Sequence, residues 1–336
     1  MLREPVRLVI GSYEFTEFQS LEIVSDLYSP SGSFRFDLGQ RVNARPGLTC
    51  CVWINGKLEL TGIIDRLEQS QNRTSHTWSV SGRSLVGMIE DSYITSWEIP
   101  PTTLKACADK YLKPIPFIQD KTWTILGEDH PDPCVRVDVG DTVFKVLNDV
   151  AQNRGKLFWA LPDGNLVFGP AAGKGLPAFQ IDSRVQSRRM SEDVSRLHSE
   201  IRVVSDSEDG GHVVHVATNP GVTLRKPFVA AFNNANRSGM DKQAQEYLRQ
   251  EKFGAFQLEY VVAGFSRDGK NWRINERAAV DDDVFGLRDT FVITRRTFRF
   301  DRASGSTTTL ALAPILAEEV FKAYPKQKKK SEEVNF

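Results

Sequence analysis

The chain opens on alternating apolar and polar positions. Val6, Leu8 and Ile10 alternate with Arg7 and Val9, Leu21, Ile23 and Ser25 with Glu22 and Val24, and Phe34 and Phe36 with Arg35 and Asp37. A period of two puts every second side chain on one face, so each run predicts a half-buried strand. Pro46-Gly47 marks a turn. Thr49-Cys50-Cys51-Val52-Trp53-Ile54 is apolar and β-favouring, and Asn55-Gly56 follows it. That dipeptide predicts a two-residue hairpin, because a type I′ turn needs positive φ twice. Leu58 and Leu60 return along the partner strand and Gly62 to Leu67 continue the meander. Thr77, Ser79 and Ser81 then alternate with Trp78, Val80 and Gly82. Several short strands within residues 1–90 predict a small antiparallel barrel or sandwich.

The texture changes near residue 91. Thr102 to Leu112 reads as a short helix between Pro100-Pro101 and Pro114. A second helix is predicted over Thr142 to Asn153, with Asp141 as its cap and Gly155 at its C-terminal left-handed position. Its stripe is Val143, Val146, Leu147, Val150 and Ala151. Leu157-Phe158-Trp159-Ala160, a Pro162-Asp163-Gly164-Asn165 turn and Leu166-Val167-Phe168 predict a hairpin. Residues 169–193, rich in Gly, Pro and Arg, read as a connector. Strands resume at Ile201, Val203 and Val213 to Val216, pause for a helix near Lys242 to Gln250, and continue at Phe256 to Val262, Phe291 to Phe300 and Thr307 to Leu312. The fold class is therefore mainly β: two similar small antiparallel β-barrel domains, a small α+β domain and a helical insertion. The boundaries are 1–90 for the first barrel, 91–180 for the α+β domain, 181–225 with 255–315 for the second barrel, 226–254 for the insertion, and 316–336 for a C-terminal helix and basic tail.

Composition narrows the function. Forty-three Lys and Arg balance 43 Asp and Glu, giving zero formal charge over 336 residues. A polyanion-coating protein needs excess cation, so bulk nucleic-acid binding is disfavoured. No run approaches the length of a membrane span, and the first residues lack a signal peptide's apolar core, so a cytoplasmic site of synthesis is expected. The four cysteines form no CxxC pair and read as buried small hydrophobes, with Cys50 and Cys51 on opposite strand faces.

No catalytic motif survives inspection. Gly169 to Gly175 lacks the first Gly and the Ser or Thr of a phosphate loop. Gly82-Arg83-Ser84-Leu85-Val86-Gly87 misses the spacing of a nucleophile elbow. Asp281-Asp282-Asp283 reads as a solvated loop rather than a cation site. His130-Pro131-Asp132-Pro133-Cys134 has metal-ligand residue types with nothing to complete a tetrahedron. His198 reads as a surface or core residue. Arg184, Arg188 and Arg189 form a local basic patch on the connector. No metal, cofactor or catalytic residue is assigned.

The order of segments resembles the baseplate hub family of contractile phage tails, specifically Mu-like tail hub proteins. The carriers are Val6 to Gly11 with Phe15 and Phe18, Ser33-Phe34-Arg35-Phe36-Asp37, Arg45-Pro46-Gly47, Gly56 to Asp65, Ser79 to Ser84 with Asp91-Ser92, Val139 to Leu147, and Pro162 to Val167. They cover residues 5–170 well; the last third matches in order and texture. The resemblance implies a homotrimer whose six barrels present a pseudo-sixfold ring, adapting a sixfold tail tube to a threefold spike. It implies as partners the trimeric spike, the tail tube or its terminating protein, baseplate wedge proteins, and the tape-measure terminus in the lumen, with DNA only in transit. The place implied is a virion tail baseplate assembled in the host cytoplasm. Gly56, Gly62, Asp65, Gly82, Arg83 and Ser84 match the family pattern and are expected to shape the first barrel, with Asp65 and Arg83 paired across it. Headless contractile bacteriocins use the same hub. A type VI secretion spike continues into further domains, which the charged end at Phe336 disfavours. A tail-borne cell-wall hydrolase needs a carboxylate pair, and Glu14, Glu17, Glu22 and Asp26 identify none. A single-strand-binding OB-type module needs exposed aromatics among excess cations, which this chain lacks.

Overall fold

The computed structural model describes residues 4–314, apart from 30, 75, 96–101, 132–136, 171–174, 183–184, 196, 207–210 and 233–238. Arg184, Cys134 and the proposed tail at 316–336 lie outside them. With 49% strand and 14% helix, the protein is mainly β.

The first module runs β1 (Val6–Ile10), β2 (Tyr13–Phe15), β3 (Ser20–Asp26), β4 (Ser33–Leu38), β5 (Thr49–Ile54), β6 (Lys57–Gln71) and β7 (His76–Ser84). The alternation places its apolar set inward: Leu8, Ile23, Phe36 and Val52 are fully buried. Asn55 and Gly56 turn β5 into β6 with φ of 53° and 72°, the positive pair the hairpin requires. The returning strand is a single element of 15 residues with a bulge between Ile64 and Arg66.

The middle domain holds α1 (Val86–Asp91), α2 (Leu104–Leu112), β8 (Trp123–Ile125), α3 (Val143–Gln152), β9 (Leu157–Ala160) and β10 (Leu166–Gly169). The stripe predicted for the second helix is buried in full. Its cap differs: Thr142, not Asp141, takes the N-terminal position and accepts from Lys145 N at 3.2 Å. Asp141 instead accepts from Asp138 N and Lys145 Nζ. Gly155 has φ of 65° as expected.

The expected connector contains β11 (Phe179–Ile181) and β12 (Ser187–Glu192). Next come β13 (Glu200–Asp206), β14 (His212–Thr218), β15 (Pro227–Ala231) and α4 (Met240–Ala255). Here the structure departs from the expected division. The strands at 200–218 do not extend the second module; they pair with each other and with β15 in a separate sheet under α4. Ile201, Val203, Ala217, Met240, Ala244 and Leu248 form its own core. The insertion is thus α+β rather than purely helical. Alternation in a strand does not say which sheet will take it.

The second module closes with β16 (Phe256–Ala263), the short pair β17 (Ser266–Arg267) and β18 (Lys270–Asn271), β19 (Arg277–Asp282), β20 (Leu287–Asp301) and β21 (Gly305–Pro314). The two modules share one plan. In the first the strand order is β3-β4-β7-β6-β5; in the second it is β12-β16-β21-β20-β19. Each has a 15-residue strand, β6 or β20, bulged near its middle. Two closed barrels were expected. Instead β20 pairs with β3, and among the described residues both modules join in one 13-stranded sheet over one continuous core.

Candidate assembly interface

Eight strands of this sheet form a strip in the order β12-β16-β21-β20-β3-β4-β7-β6. Every neighbouring pair is antiparallel. Among the described residues, the strip has two bounding strands. One is β12; the other is the second half of β6, since β5 pairs only with its first half. Both are polar here: β12 reads Ser187-Arg188-Arg189-Met190-Ser191-Glu192, and β6 ends Arg66-Leu67-Glu68-Gln69-Ser70-Gln71. Charge on an edge restrains indiscriminate pairing.

The two faces of the strip differ. One packs on the core. On the other, registers place six arginines (Arg35, Arg66, Arg83, Arg189, Arg295, Arg299) among six carboxylates (Glu22, Asp26, Asp37, Glu68, Glu259, Asp301). Arg299 meets Glu22 at 2.6 Å, Arg35 meets Asp37 at 3.3 Å, Arg295 lies 3.9 Å from Asp26, and Arg66 pairs with Glu68. Burial pushes the Asp37 carboxyl up, but hydrogen bonds from Ser79 and Ser20 and the charge of Arg35 outweigh it and hold it below its ordinary value. Between the charges stand Thr297, Thr309, Ser81 and Ser191. The face carries many charges and no net charge.

Where the modules join, a buried polar knot crosses the seam. Arg296 of β20 donates to Glu59 of β6 at 2.7 Å, to Trp272 O at 2.6 Å and to Ser25 Oγ of β3 at 3.0 Å. Asn271 donates to Glu59 Oε1 at 2.7 Å and to Ile54 O at 3.0 Å. Burial pulls the Arg296 guanidinium down and Glu59 opposes that. The β12 margin has its own anchor. Arg188 Nη1 donates to Asp282 Oδ1 at 3.1 Å, and Tyr260 OH donates to Asp282 Oδ2 at 2.9 Å. Burial, then that hydrogen bond, pushes the Tyr260 phenol up. Asp282 is 1% exposed, which corrects the solvated-loop reading for that residue, while Asp281 and Asp283 on either side of it are exposed. Arg188 and Arg189 sit on a strand, not on a free connector.

The six family-pattern residues fall at two places. Gly56 is in the β5–β6 turn. The other five gather where β6 crosses β7. A Cβ on Gly62 would lie 2.4 Å from Arg83 O, and one on Gly82 would lie 2.0 Å from Ile63 O. Neither position has room for a side chain. Asp65 sits in the β6 bulge, and Arg83 donates to it at 2.8 and 3.2 Å and to Asp91 at 2.7 and 3.2 Å. Those hydrogen bonds, Asp91 first, push Arg83 above its ordinary range, and Arg83 holds Asp91 below its own. Ser84 Oγ accepts from Gly32 N at 3.2 Å. Sequence reading missed Glu59 and Arg296 and put Asp282 in a solvated loop. Nothing local marks them, because their partners lie up to 237 residues away.

Two clefts, about 520 and 470 Å³, separate the middle domain from the strip. Asp26 and Glu259 line the first and both face arginines across the sheet. Glu14 lies 3.5 Å from Arg7. His198 Nδ1 lies 2.6 Å from Glu251, against the Phe228 ring. Among the described residues no cluster of His, Cys, Asp and Glu is arranged to hold a metal, and no helix is long and apolar enough to cross a membrane.

Residues 5–84 match the family described as Mu phage baseplate assembly protein GpP-like, N-terminal. Residues 250–314 match the C-terminal domain of a tail protein family. No curated protein matches by sequence. Among solved structures, a tail protein from Neisseria meningitidis MC58 is 28% identical, with a TM-score of 0.84 over 92% of this chain and 96% of that one. The 43 kDa tail protein of prophage MuSo2 from Shewanella oneidensis is 22% identical, with a TM-score of 0.81 over 93% and 98%. An E. coli component of the type VI secretion system shares the fold at 12% identity, with a TM-score of 0.62 over 92% and 77%. The resemblance seen in the sequence is borne out.

Proposed function

We propose that this chain, a structural protein of the phage tail and baseplate type related to type VI secretion spike components, is the baseplate hub of a contractile tail. Three copies form a ring that joins a sixfold tube to a threefold spike. The observation that carries the reading is the repeated module. Two halves of one plan lie side by side in one sheet, so three chains present six equivalent units. A head-to-tail contact repeated around a threefold axis closes into a ring.

The charge-balanced face then lines the channel, because the core and the remaining strands fill the other side. Excess cation would hold a polyanion by counterion release; six arginines matched by six carboxylates do not. The role is structural. The partners are the spike trimer, the tail tube or its terminator, wedge proteins outside and the tape-measure terminus inside. The place is the tail baseplate, assembled in the host cytoplasm. The fold shared with a type VI secretion component supports a second setting, the hub of a headless bacteriocin or secretion apparatus.

Light scattering of the purified protein across a concentration series tests the reading. The expected species has a mass near three times 37.8 kDa. A single chain at every concentration, with and without a trimeric tail-spike protein added, removes the hub assignment.

A further inference from the structure

The larger cleft lies where β21 ends. Along one face of β21, Thr307 and Thr309 give way to Ala311 and Ala313, and those two alanines line the cleft. Small side chains there leave about 520 Å³ between the strip and the middle domain, within the range of clefts that enclose a ligand. The walls are largely apolar. The middle domain supplies Phe144 and Phe158, and the strip supplies Leu27 and Phe256. Phe144 is the outer ring of a ladder: it stacks on Phe158 at 5.5 Å, and Phe158 stacks on Phe168 at 4.5 Å. Phe168 is fully buried, whereas Phe144 is half-buried at the cleft.

The sequence after Pro314 has the pattern to cover such a surface. Leu316, Ala317, Val320, Phe321 and Tyr324 recur at the spacing i, i+1, i+4, i+5 and i+8, which makes one apolar stripe on a helix. Glu318, Glu319 and Lys322 fall opposite that stripe. Glu318 stands four residues before Lys322, the favourable order for an ion pair across one turn. Pro314 suits a first helical turn, and Pro325 stops a helix.

We infer that residues 315–324 dock as an amphipathic helix in this cleft of their own chain, with the stripe against Phe144 and Phe256, and so tie the middle domain to the strip. Place selects this occupant. Pro314 directly follows the alanines that line the cleft, so the segment is tethered at its site and its effective concentration there exceeds that of a free peptide. Length agrees as well, since ten helical residues span about 15 Å. The inference stands apart from the hub reading, because it concerns one chain and needs no second copy.

Photo-cross-linking of the full chain tests it. The benzophenone amino acid p-benzoylphenylalanine replaces Phe321 in one variant and Glu319 in another. The probe at 321 is expected to join segments holding Phe144 or Phe256 in a product of single-chain mass, and the probe at 319 to join neither. A product at twice that mass assigns the cleft to a second copy's segment, and a probe at 321 that marks neither wall places the segment elsewhere; each overturns the inference and leaves the hub reading standing. Hydrogen exchange gives a second readout. Val320→Asp with Phe321→Asp is expected to speed amide exchange in α3 and at the start of β16 about tenfold, whereas Glu318→Gln with Glu319→Gln leaves it unchanged. Equal exchange in the parent and both variants overturns the inference.

Discussion

At the residue scale, the strongest commitments are buried charges and absent side chains. Arg296 is 4% exposed and Glu59 0% as side chains, and their hydrogen bonds bind strands from both modules. Removing one partner leaves the other charge buried and alone, which costs about 3–5 kcal/mol. Arg296→Ala is therefore expected to destabilise the protein by about that much in urea unfolding. A Glu59→Leu, Arg296→Met pair is expected to recover most of the loss, because apolar isosteres often replace a buried pair at little cost. A double variant that loses the sum of the two single losses would show that the knot has no coupling of its own. Gly56 and Gly82 are glycines for different reasons. Gly56 needs positive φ with open space around it; Gly82 has no space, its virtual Cβ meeting Ile63 O and the Phe34 ring. Gly82→Ala forces backbone apart and is expected to cost about 1–3 kcal/mol, read as a lowered Tm. An unchanged Tm would mean that β6 and β7 separate freely at the crossing.

At the element scale, the two bulged strands give the molecule its plan. Each is 15 residues long and serves two surroundings: its first half pairs with β5 or β19, its second with the strip. A bulge turns a strand and raises its twist, so the change of partner coincides with the change of direction. β20 spends its second half on β3; among the described residues, no second strand pairs with the equivalent stretch of β6. The element hardest to read was β12. Its sequence has a single apolar residue, Met190, because one side of the strand meets Asp282 through Arg188 and the other faces solvent. An edge strand built on an ion pair has no hydrophobic period to detect.

At the scale of the whole molecule, neutrality is local as well as global. A chain with equal charges can still segregate them, but on the polar face each sign stands beside the other. The protein is therefore expected to show no salt-dependent retention of double-stranded DNA. A variant with Glu22, Asp26 and Glu259 all changed to lysine adds cationic character to that face and is expected to bind DNA with an affinity that falls steeply with salt. Mobility-shift titrations at two salt concentrations measure both. Binding by the unaltered chain would show that the face holds DNA, contrary to a channel made for passage.

The sequence by itself determined the β-rich class, the strands whose apolar residues alternate, the Asn55-Gly56 hairpin, the buried stripe of α3 and the family resemblance, all of which rest on neighbours in the chain. It also suggested that Asp65 and Arg83 meet, and they do, across adjacent strands. Tertiary structure alone decided that the two modules share a sheet, that strands at 200–218 belong to the insertion, that Asp282 is an anchor rather than a loop residue, and that Glu59 finds Arg296. The physical reason is the range of the forces concerned. Period, cap and turn act over a few residues, so they are written locally. Strand pairing and buried charge depend on groups brought together from distant parts of the chain. One alternating run looks the same whichever edge it joins, and one carboxylate looks the same whether it meets water or a guanidinium.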